Sequence, residues 1–384
     1  MDLKLFFSPV AEEIYSQITS ISSFYKNISI FDGTMPELSG HDIALIGLEE
    51  NRGAQPQNGM NSAANEIRKK LYSLKRGHGR YYIVDLGNLK NGVDLEDTTK
   101  RIQEVGEFLM SKNILPVFIG GSHDLDIGQY KAYQGMDKLV SMLNIDAFLD
   151  MEESGSPNQQ HIQQILLYNP NFLFHYGHLA YQTYLIESRT MEVLEKLYFE
   201  SYRVGHLHAN IDEMEPVIRD ADMISFDVSS IKSSDAPASS NAQPFGLTGE
   251  EACQITWYAG MNEKLSSIGF YEYDPSLEDS HHKTASVVAT MIWYFIEGFY
   301  NKKDHKDFKS NDYLQYAVSM PSEPESIIFF KSKLSEKWWM EVPYPEGKSR
   351  YSRNCIVPCS YSDYEIANTG EIPERYISAH AKLV

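Results

Sequence analysis

Residues 114–124 read ILPVFIGGSHD, an apolar run that ends abruptly in two glycines and a group of polar side chains. Short apolar runs rich in Ile, Val, Leu or Phe are typical of strands that are buried on both faces. The same pattern recurs at HDIALIGLE (41–49), YYIVDLG (81–87), LVSMLNIDA (139–147), NFLFHYG (171–177), DMISFDVSS (222–230) and LSSIGFYEYDP (265–275). We therefore predict a series of buried strands.

Amphipathic stretches lie between these runs. The predicted helices are NEIRKKLYSL (65–74), TTKRIQEVGEFLMSK (98–112), TMEVLEKLYFESY (190–202) and ASVVATMIWYFIEGF (285–299). The last of them is too short to span a bilayer, so we expect no membrane partner. Strands that alternate with helices predict a three-layer α/β/α fold with a parallel sheet. Ligands of such sheets bind at the carboxyl ends of the strands.

The two ends of the chain do not share this alternation. We expect residues 1–35 to form an N-terminal extension, a helix with a polar connector, and residues 36–300 to form the α/β domain. Residues 301–384 begin with charged side chains and continue with Trp338, Trp339 and many prolines. This segment is too aromatic for a disordered tail. We expect an irregular appendage that packs on the core or on a neighbouring subunit.

Composition excludes several functional classes. The net charge of −19 disfavours nucleic acid, because phosphate binding requires clustered Lys and Arg. The first residues lack the basic and apolar segments of a signal peptide. The chain has 3 cysteines, and although Cys355 and Cys359 have C-x-x-x-C spacing, ordinary reduced thiols are the preferred interpretation over zinc. These features favour a cytoplasmic location.

Polar residues follow three of the predicted strands. His123 follows the first, Asp146 and Asp150 follow the second, and Asp227 follows the third. One imidazole and three carboxylates suit a divalent ion such as Mn²⁺ or Mg²⁺. Aspartates at strand ends also cap helices and bind turn amides, so the pattern alone leaves a structural role open.

The order of these motifs resembles the ureohydrolase family of arginases, agmatinases and formimidoylglutamases. GGSHD resembles its Gly-Gly-x-His motif, DAFLD its Asp-Ala-His-x-Asp motif, and SFDVSS its Ser-Phe-Asp-Val-Asp motif. The resemblance extends over residues 36–300 and implies the arginase-type fold. SGSP (154–157) is closest to the Ser-Gly-Thr-Pro of formimidoylglutamases. The arginine of that pattern is absent, and Gln160 or His161 stands near its place.

The resemblance implies a site for two manganese ions, of which this chain retains part. Asp146 and Asp227 match the bridging ligands, and His123 and Asp150 match the ligands that complete one metal. The positions that complete the other metal hold Phe148 and Ser229. Since both losses fall on one metal, the sequence predicts one divalent ion, Mn²⁺ for preference, or none.

Further roles follow from the same resemblance. Glu272 matches the carboxylate that faces the cationic carbon of the substrate, although a buried ion pair is an equal alternative. Asp150 and Glu272 are the predicted catalytic residues. Ser154, Ser156 and His161, together with Glu272, are the predicted substrate-binding residues.

Other polar side chains are weaker candidates. One metal acidifies water less than two, so a base would be needed, and His161, His175 and His178 lie nearby in sequence. For each of these histidines, a structural role is the favoured interpretation. Without a metal the clustered carboxylates would need a cation, and Lys232 is a possible counter-ion.

Two functions remain open at this point. The first is a hydrolase of C–N bonds in amidine or guanidino compounds that uses at most one metal. The second is a catalytically inactive family member that binds a small ligand or a protein. Family members form oligomers, so the resemblance also implies a homo-oligomer.

Overall fold

Each of the predicted apolar runs forms a strand in the structure, a computed structural model that describes residues 1–54, 59–136, 138–305, 307–343 and 356–383. With three short strands they form the central sheet: β1 (Phe7–Ser8), β2 (Ser29–Ile30), β3 (Ile43–Leu48), β4 (Ile83–Leu89), β5 (Leu115–Ile119), β6 (Val140–Ile145), β7 (Leu173–Tyr181), β8 (Glu200–Arg203), β9 (Met223–Asp227) and β10 (Ser267–Tyr271). The order across the sheet is β1-β4-β3-β5-β10-β9-β6-β7-β8, with β2 also paired to β4.

The sheet is parallel except at one edge. β1 pairs antiparallel with β4, and the other pairings within the sheet are parallel. Parallel strands require crossover connections, which the helices supply. The helices before β10 are α1 (Ala63–Leu71), α2 (Leu95–Ser111), α3 (Asp126–Lys131), α4 (His161–Leu166), α5 (Ser188–Lys196), α6 (Val204–Ala209), α7 (Glu215–Arg219) and α8 (Gly249–Gly260), and α9 (Lys283–Tyr300) follows this last strand of the sheet.

Helices cover both faces of the sheet, as the predicted three-layer fold requires. Along β3, Ile43 and Leu45 pack into the apolar cluster that contains side chains of α1, α8 and α9. Ala44 and Ile46 point to the other face and pack into the cluster that contains side chains of α2. Because successive strand residues face opposite sides, a strand buried on both faces is apolar throughout, and this explains the unbroken apolar runs.

Two elements differ from the sequence prediction. Residues 1–35 form short 3-10 turns and the strands β1 and β2 instead of a helix with a connector. The predicted helix over 190–202 ends at Lys196, and the chain then forms the edge strand β8. A strand of four residues with a polar residue at each end is too short to show the two-residue alternation of a strand in the sequence.

The C-terminal segment is regular, in contrast to the predicted irregular appendage. Its described part contains an antiparallel sheet of β11 (Tyr313–Ser319), β12 (Ser326–Ser332), β13 (Trp338–Glu341) and β14 (Ile356–Cys359), followed by α10 (Tyr361–Asn368) and α11 (Glu374–Leu383). Phe329 and Trp338 pack on one face of this sheet, whereas Phe330 and Trp339 pack on the other. Aromatic residues on both faces hide the alternation that normally marks a strand.

This segment packs against the α/β part of the same chain through Arg219, the last residue of α7. Its Nε donates to Glu215 at 2.8 Å, and its Nη2 donates to the carbonyl oxygen of Trp338 at 3.0 Å. The guanidinium also lies 4.3 Å from the ring centroid of Trp339. The side chain is 2% exposed, so the contact is buried.

Two further predictions concern single features of the chain. Cys253 and Cys359 carry free thiols, whereas Cys355 of the C-x-x-x-C pair lies outside the described residues. In the described ranges, no helix combines the length and apolarity that crossing a bilayer requires.

Candidate active site

Four neighbouring strands bring the predicted site residues to one edge of the central sheet. β5, β10, β9 and β6 lie side by side in that order. Each ends in, or is directly followed by, a segment that carries one predicted residue: His123, Glu272, Asp227 and Asp146, respectively. The carboxyl ends of these parallel strands therefore form the candidate site.

Two glycines turn the chain from β5 into this site. Gly120 and Gly121 have φ angles of 89° and 78°, which glycine adopts without steric cost. A Cβ on Gly120 would lie 3.0 Å from the carbonyl oxygen of Leu48, and one on Gly121 would lie 3.0 Å from that of Glu50. The turn places His123 in a buried 3-10 turn beneath the ends of the strands.

His123 is surrounded by the three predicted carboxylate ligands. Its Nδ1 lies 3.2 Å from Oδ2 of Asp146, 3.2 Å from Oδ2 of Asp227 and 3.8 Å from Oδ2 of Asp150. His123 and Asp146 are fully buried, while the Asp150 side chain is 13% exposed. The fold therefore brings all four predicted metal ligands together.

Burial and like charge dominate the electrostatics of this cluster. Burial raises the pKa of Asp146, and the charge of Asp150 raises it further. Burial alone would lower the pKa of His123, but Asp146 and Asp227 outweigh it and hold that pKa well above its ordinary value. In the absence of a metal ion, a proton on His123 thus compensates part of the carboxylate charge.

A further buried carboxylate, Asp126, lies behind His123. Its Oδ1 is 2.8 Å from Nδ1 of His161, and its Oδ2 accepts a hydrogen bond of 3.0 Å from Ser225 Oγ. The same hydroxyl lies 2.8 Å from His123 Nε2. Burial alone would lower the pKa of His161, but Asp126 outweighs it and raises that pKa to about 9. Asp126 was not among the residues predicted from the sequence, although it lies only three residues after His123.

His161, a predicted substrate-binding residue, is part of the cluster itself. It is the first residue of α4 and is fully buried, and its Nε2 lies 3.2 Å from Oδ2 of Asp150. One ligand atom from each of His123, Asp146, Asp150 and His161 lies within 4.8 Å of the others. Asp227 is not in this group, although its Oδ2 is close to His123.

Asp146 and Asp227, which match the bridging ligands of the family pattern, each use their second oxygen in hydrogen bonds. Oδ1 of Asp146 accepts from the backbone N–H of Phe148 at 3.0 Å and from the hydroxyl of Ser229 at 3.2 Å. Oδ1 of Asp227 accepts from the backbone N–H of Ser229 at 2.5 Å. The Oδ2 atoms of both aspartates face His123. Phe148 and Ser229 therefore supply donors at the two positions where the family pattern has metal ligands.

Glu272 lies beside the cluster with a left-handed backbone, φ 64°, which is uncommon for a residue other than glycine. Its Oε1 accepts from the backbone N–H of His123 at 2.9 Å and from Asn158 Nδ2 at 3.1 Å. Its buried Oε2 has no hydrogen-bond partner among the described residues. Burial, reinforced by Asp227, raises the pKa of Glu272 to about 8. Neutral donors hold this side chain, in contrast to the buried ion pair that the sequence left open.

The two predicted substrate-binding serines lie in the loop before α4. Ser154 is exposed. Ser156 is buried, and its hydroxyl donates to Asn158 Oδ1 at 2.6 Å and to Gln159 Oε1 at 2.9 Å. Ser156 therefore supports the turn that directs Asn158 toward Glu272. The substrate-binding roles of both serines stay predictions.

The other histidines and the lysine have structural contacts. Both ring nitrogens of His178 are hydrogen-bonded, one to the hydroxyl of Tyr176 and the other to the carbonyl oxygen of Asp146. Burial lowers the pKa of His178 to about 4. His175 lies near the start of β7, at the end of the sheet remote from the site. Lys232 lies 3.6 Å from Asp235 rather than beside the site carboxylates, so it is not their counter-ion.

The cluster fits a divalent metal ion on structural grounds. His123 Nδ1 and Asp146 Oδ2 are buried and have no hydrogen-bond partner among the described residues, although they face each other. Nitrogen and carboxylate ligands suit hard or borderline ions such as Mn²⁺ and Mg²⁺. The predicted ligands His123, Asp146, Asp150 and Asp227 would hold such an ion.

The fold and the site together define an α/β protein of the parallel type with a candidate metal-ligand group at the carboxyl ends of its strands. Residues 41–297 match the arginase family, and the chain belongs to that family. The ureohydrolase resemblance inferred from the motifs is thereby confirmed.

The curated relatives found are formimidoylglutamases, and the solved structures share the fold. The chain is 25% identical over 306 residues to a formimidoylglutamase of Geobacillus sp. (strain WCH70), covering 73% of this chain and 90% of the relative. It resembles the structure of a formimidoylglutamase from Bacillus subtilis subsp. subtilis str. 168, with a TM-score of 0.66, 18% identity and coverage of 76% and 99%. A formiminoglutamase of Trypanosoma cruzi, solved with Mn²⁺₂, gives a TM-score of 0.65, 18% identity and coverage of 70% and 97%.

Proposed function

We propose that this protein is a formimidoylglutamase-like hydrolase that uses a single divalent metal ion to cleave a C–N bond of a linear amidine or guanidino compound. The observation that carries the proposal is that the two oxygens of each carboxylate, in Asp146 and in Asp227, have different contacts. Their Oδ2 atoms face His123, and their Oδ1 atoms accept hydrogen bonds from Phe148 and Ser229. One side of each carboxylate is thus available to a metal, and the other is already satisfied.

The residues beside the metal position support a cationic substrate. Oε2 of Glu272 is buried and unpartnered among the described residues. An amidinium or guanidinium group presents planar N–H donors that pair well with a carboxylate. Glu272 would therefore orient the substrate carbon, while its other oxygen stays anchored to His123 and Asn158.

Asp150 has the second proposed role. Its side chain is 13% exposed and its backbone is left-handed, with φ 45°. This places a carboxylate between the buried ligands and the outside, where it would orient the attacking water. When bound, a divalent ion would supply Lewis-acid chemistry that polarises the substrate and acidifies water. Addition of water at the amidine carbon and loss of the C–N bond would release an amine or ammonia.

Product analysis tests this proposal. The full chain, loaded with Mn²⁺, is incubated with formimidoylglutamate, agmatine and arginine, and cleavage products are measured by mass spectrometry. We expect turnover of the formimidoyl compound, and a fall of about 10²–10³-fold in Glu272→Gln at unchanged metal content, since an electrostatic contact to the reacting group is lost. Bound metal without turnover of any amidine would instead favour the inactive, ligand-binding alternative.

A further inference from the structure

The cluster contains a second imidazole, that of His161, which the metal-ligand motifs of the family do not include. His161 Nε2 lies 3.2 Å from Oδ2 of Asp150, and the rings of His123 and His161 lie 4.2 Å apart, centroid to centroid. From these contacts we infer that His161 is itself a metal ligand through Nε2, and that it makes this a two-histidine site. This inference rests on the proposed single-metal function.

Hydrogen bonding determines which nitrogen of His161 faces the cluster. An ionised carboxylate only accepts hydrogen bonds, so Nδ1 of His161 must donate its hydrogen to Asp126 Oδ1, 2.8 Å away. In the neutral ring, Nε2 then carries the lone pair, and that lone pair points toward Asp150. Histidines that bind metals typically donate their other N–H to a carboxylate in this way.

The same carboxylate orients the second ring. Ser225 donates its hydroxyl hydrogen to Asp126 Oδ2 at 3.0 Å, so it must accept the N–H of His123 Nε2 at 2.8 Å. Nδ1 of the neutral His123 ring therefore faces the aspartates. Asp126, fully buried, holds one histidine directly and the other through a hydroxyl. In the neutral rings both lone pairs meet carboxylate oxygens, an arrangement that a shared metal ion would stabilise in place of the protons that the rings carry without one.

The distances are compatible with one shared ion. The ligand atoms of His123, Asp146, Asp150 and His161 all lie within 4.8 Å of one another. Ligand bonds of about 2.0–2.2 Å bring opposite ligands of one ion to a little over 4 Å apart. His161 thus adds a ligand to the retained metal, beyond the four that the family pattern gives it. Two imidazoles favour a borderline ion such as Mn²⁺, Fe²⁺ or Zn²⁺ over Mg²⁺.

Counting the bound nitrogens tests this inference without measuring activity. The full chain, labelled with ¹⁵N-histidine and loaded with one equivalent of Mn²⁺, is examined by pulsed electron–nuclear double resonance. We expect couplings from two directly bound imidazole nitrogens in the wild type and from one in His161→Gln. We also expect a weaker Mn²⁺ affinity in that variant, by about 10–100-fold or more. The matched control is His208→Gln, which replaces an exposed histidine paired with Glu251. It should change neither the number of bound nitrogens nor the Mn²⁺ affinity.

The outcomes separate the two claims. A single bound imidazole in the wild type, at one Mn²⁺ per chain, would overturn the role of His161 and leave the proposed function intact. The number of bound nitrogens is measured on the wild type, so misfolding of His161→Gln would not obscure it. A chain that binds no Mn²⁺ would overturn both claims.

Discussion

Ser229 donates its hydroxyl hydrogen to Oδ1 of Asp146 across 3.2 Å, at a position where the family pattern has a metal ligand. Together with the backbone N–H of Phe148, the hydroxyl satisfies a buried carboxylate oxygen, and such oxygens are costly when unpaired. The chain has therefore replaced a ligand with a donor rather than simply deleting it. This exchange is the structural basis for expecting one metal instead of two.

Restoring both lost ligands should rebuild the second metal position. The double variant Phe148→His with Ser229→Asp adds an imidazole and a carboxylate, and it removes the hydroxyl that donates to Asp146 Oδ1 while the backbone donors of both positions stay. We expect the bound Mn²⁺, measured by elemental analysis, to rise from one to two ions per chain. Phe148→Leu with Ser229→Ala changes the same positions without adding ligands and should stay at one or below. An unchanged count in the restored variant would contradict this account of the substitution.

The contact of Arg219 with the C-terminal sheet should contribute substantially to stability. Arg219→Met removes the buried guanidinium that joins Glu215, the carbonyl of Trp338 and the Trp339 ring. We expect the free energy of unfolding in urea to fall by about 1–3 kcal/mol, because the buried carbonyl of Trp338 loses this donor and Glu215 keeps only Lys337 as a cationic neighbour in the described part of the chain. The matched control, Arg189→Met on an exposed position, should change it by less than about 0.5 kcal/mol. Equal effects of the two variants would refute a special role for Arg219.

The C-terminal helix α11 should make a pH-dependent contribution to the free energy of unfolding. Lys382 Nζ lies 3.1 Å from Glu200 Oε1 on the edge strand β8. Burial alone would raise the pKa of Glu200, but His175 and Lys382 outweigh it and lower that pKa below its ordinary value of 4.5. A carboxylate with a lowered folded-state pKa stabilises the fold above its unfolded pKa and loses that effect as the pH falls through the folded one.

Lys382→Met tests the contribution of the ion pair with Glu200 to stability. At pH 7 we expect the variant to be less stable than the wild type by about 1 kcal/mol. The difference should shrink as the pH falls below 4.5, where Glu200 takes up a proton. Chemical denaturation at a series of pH values measures it. A difference that is constant from pH 7 down to acid would show that the lysine acts through packing and not through charge.

The central fold could be predicted from sequence because its strands are buried on both faces, so each appears as an unbroken apolar run. The strand β8 could not be predicted, because its sequence ESYR is short and begins and ends with polar residues. It lies at the edge of the sheet. The C-terminal sheet was missed because its aromatic residues lie on both faces.

Within the site, His123, Asp146, Asp150 and Asp227 could be predicted as neighbours because parallel strands end at a common edge, and the resemblance to the family motifs identified them as candidate ligands. The contact of Asp126 with His161 depends on how two helices pack after separate strands, and no local pattern reports it. The predicted homo-oligomer, the cytoplasmic location and the domain boundaries stay predictions.

Metal content tests the central claim most directly. The full chain is purified without chelator, dialysed against excess Mn²⁺ and then against metal-free buffer, and analysed by inductively coupled plasma mass spectrometry. We expect one ion per chain in the wild type and a clear loss in Asp150→Asn, in which asparagine tolerates the left-handed backbone at that position. Two ions per chain in the wild type, or none, would contradict a site built for a single metal.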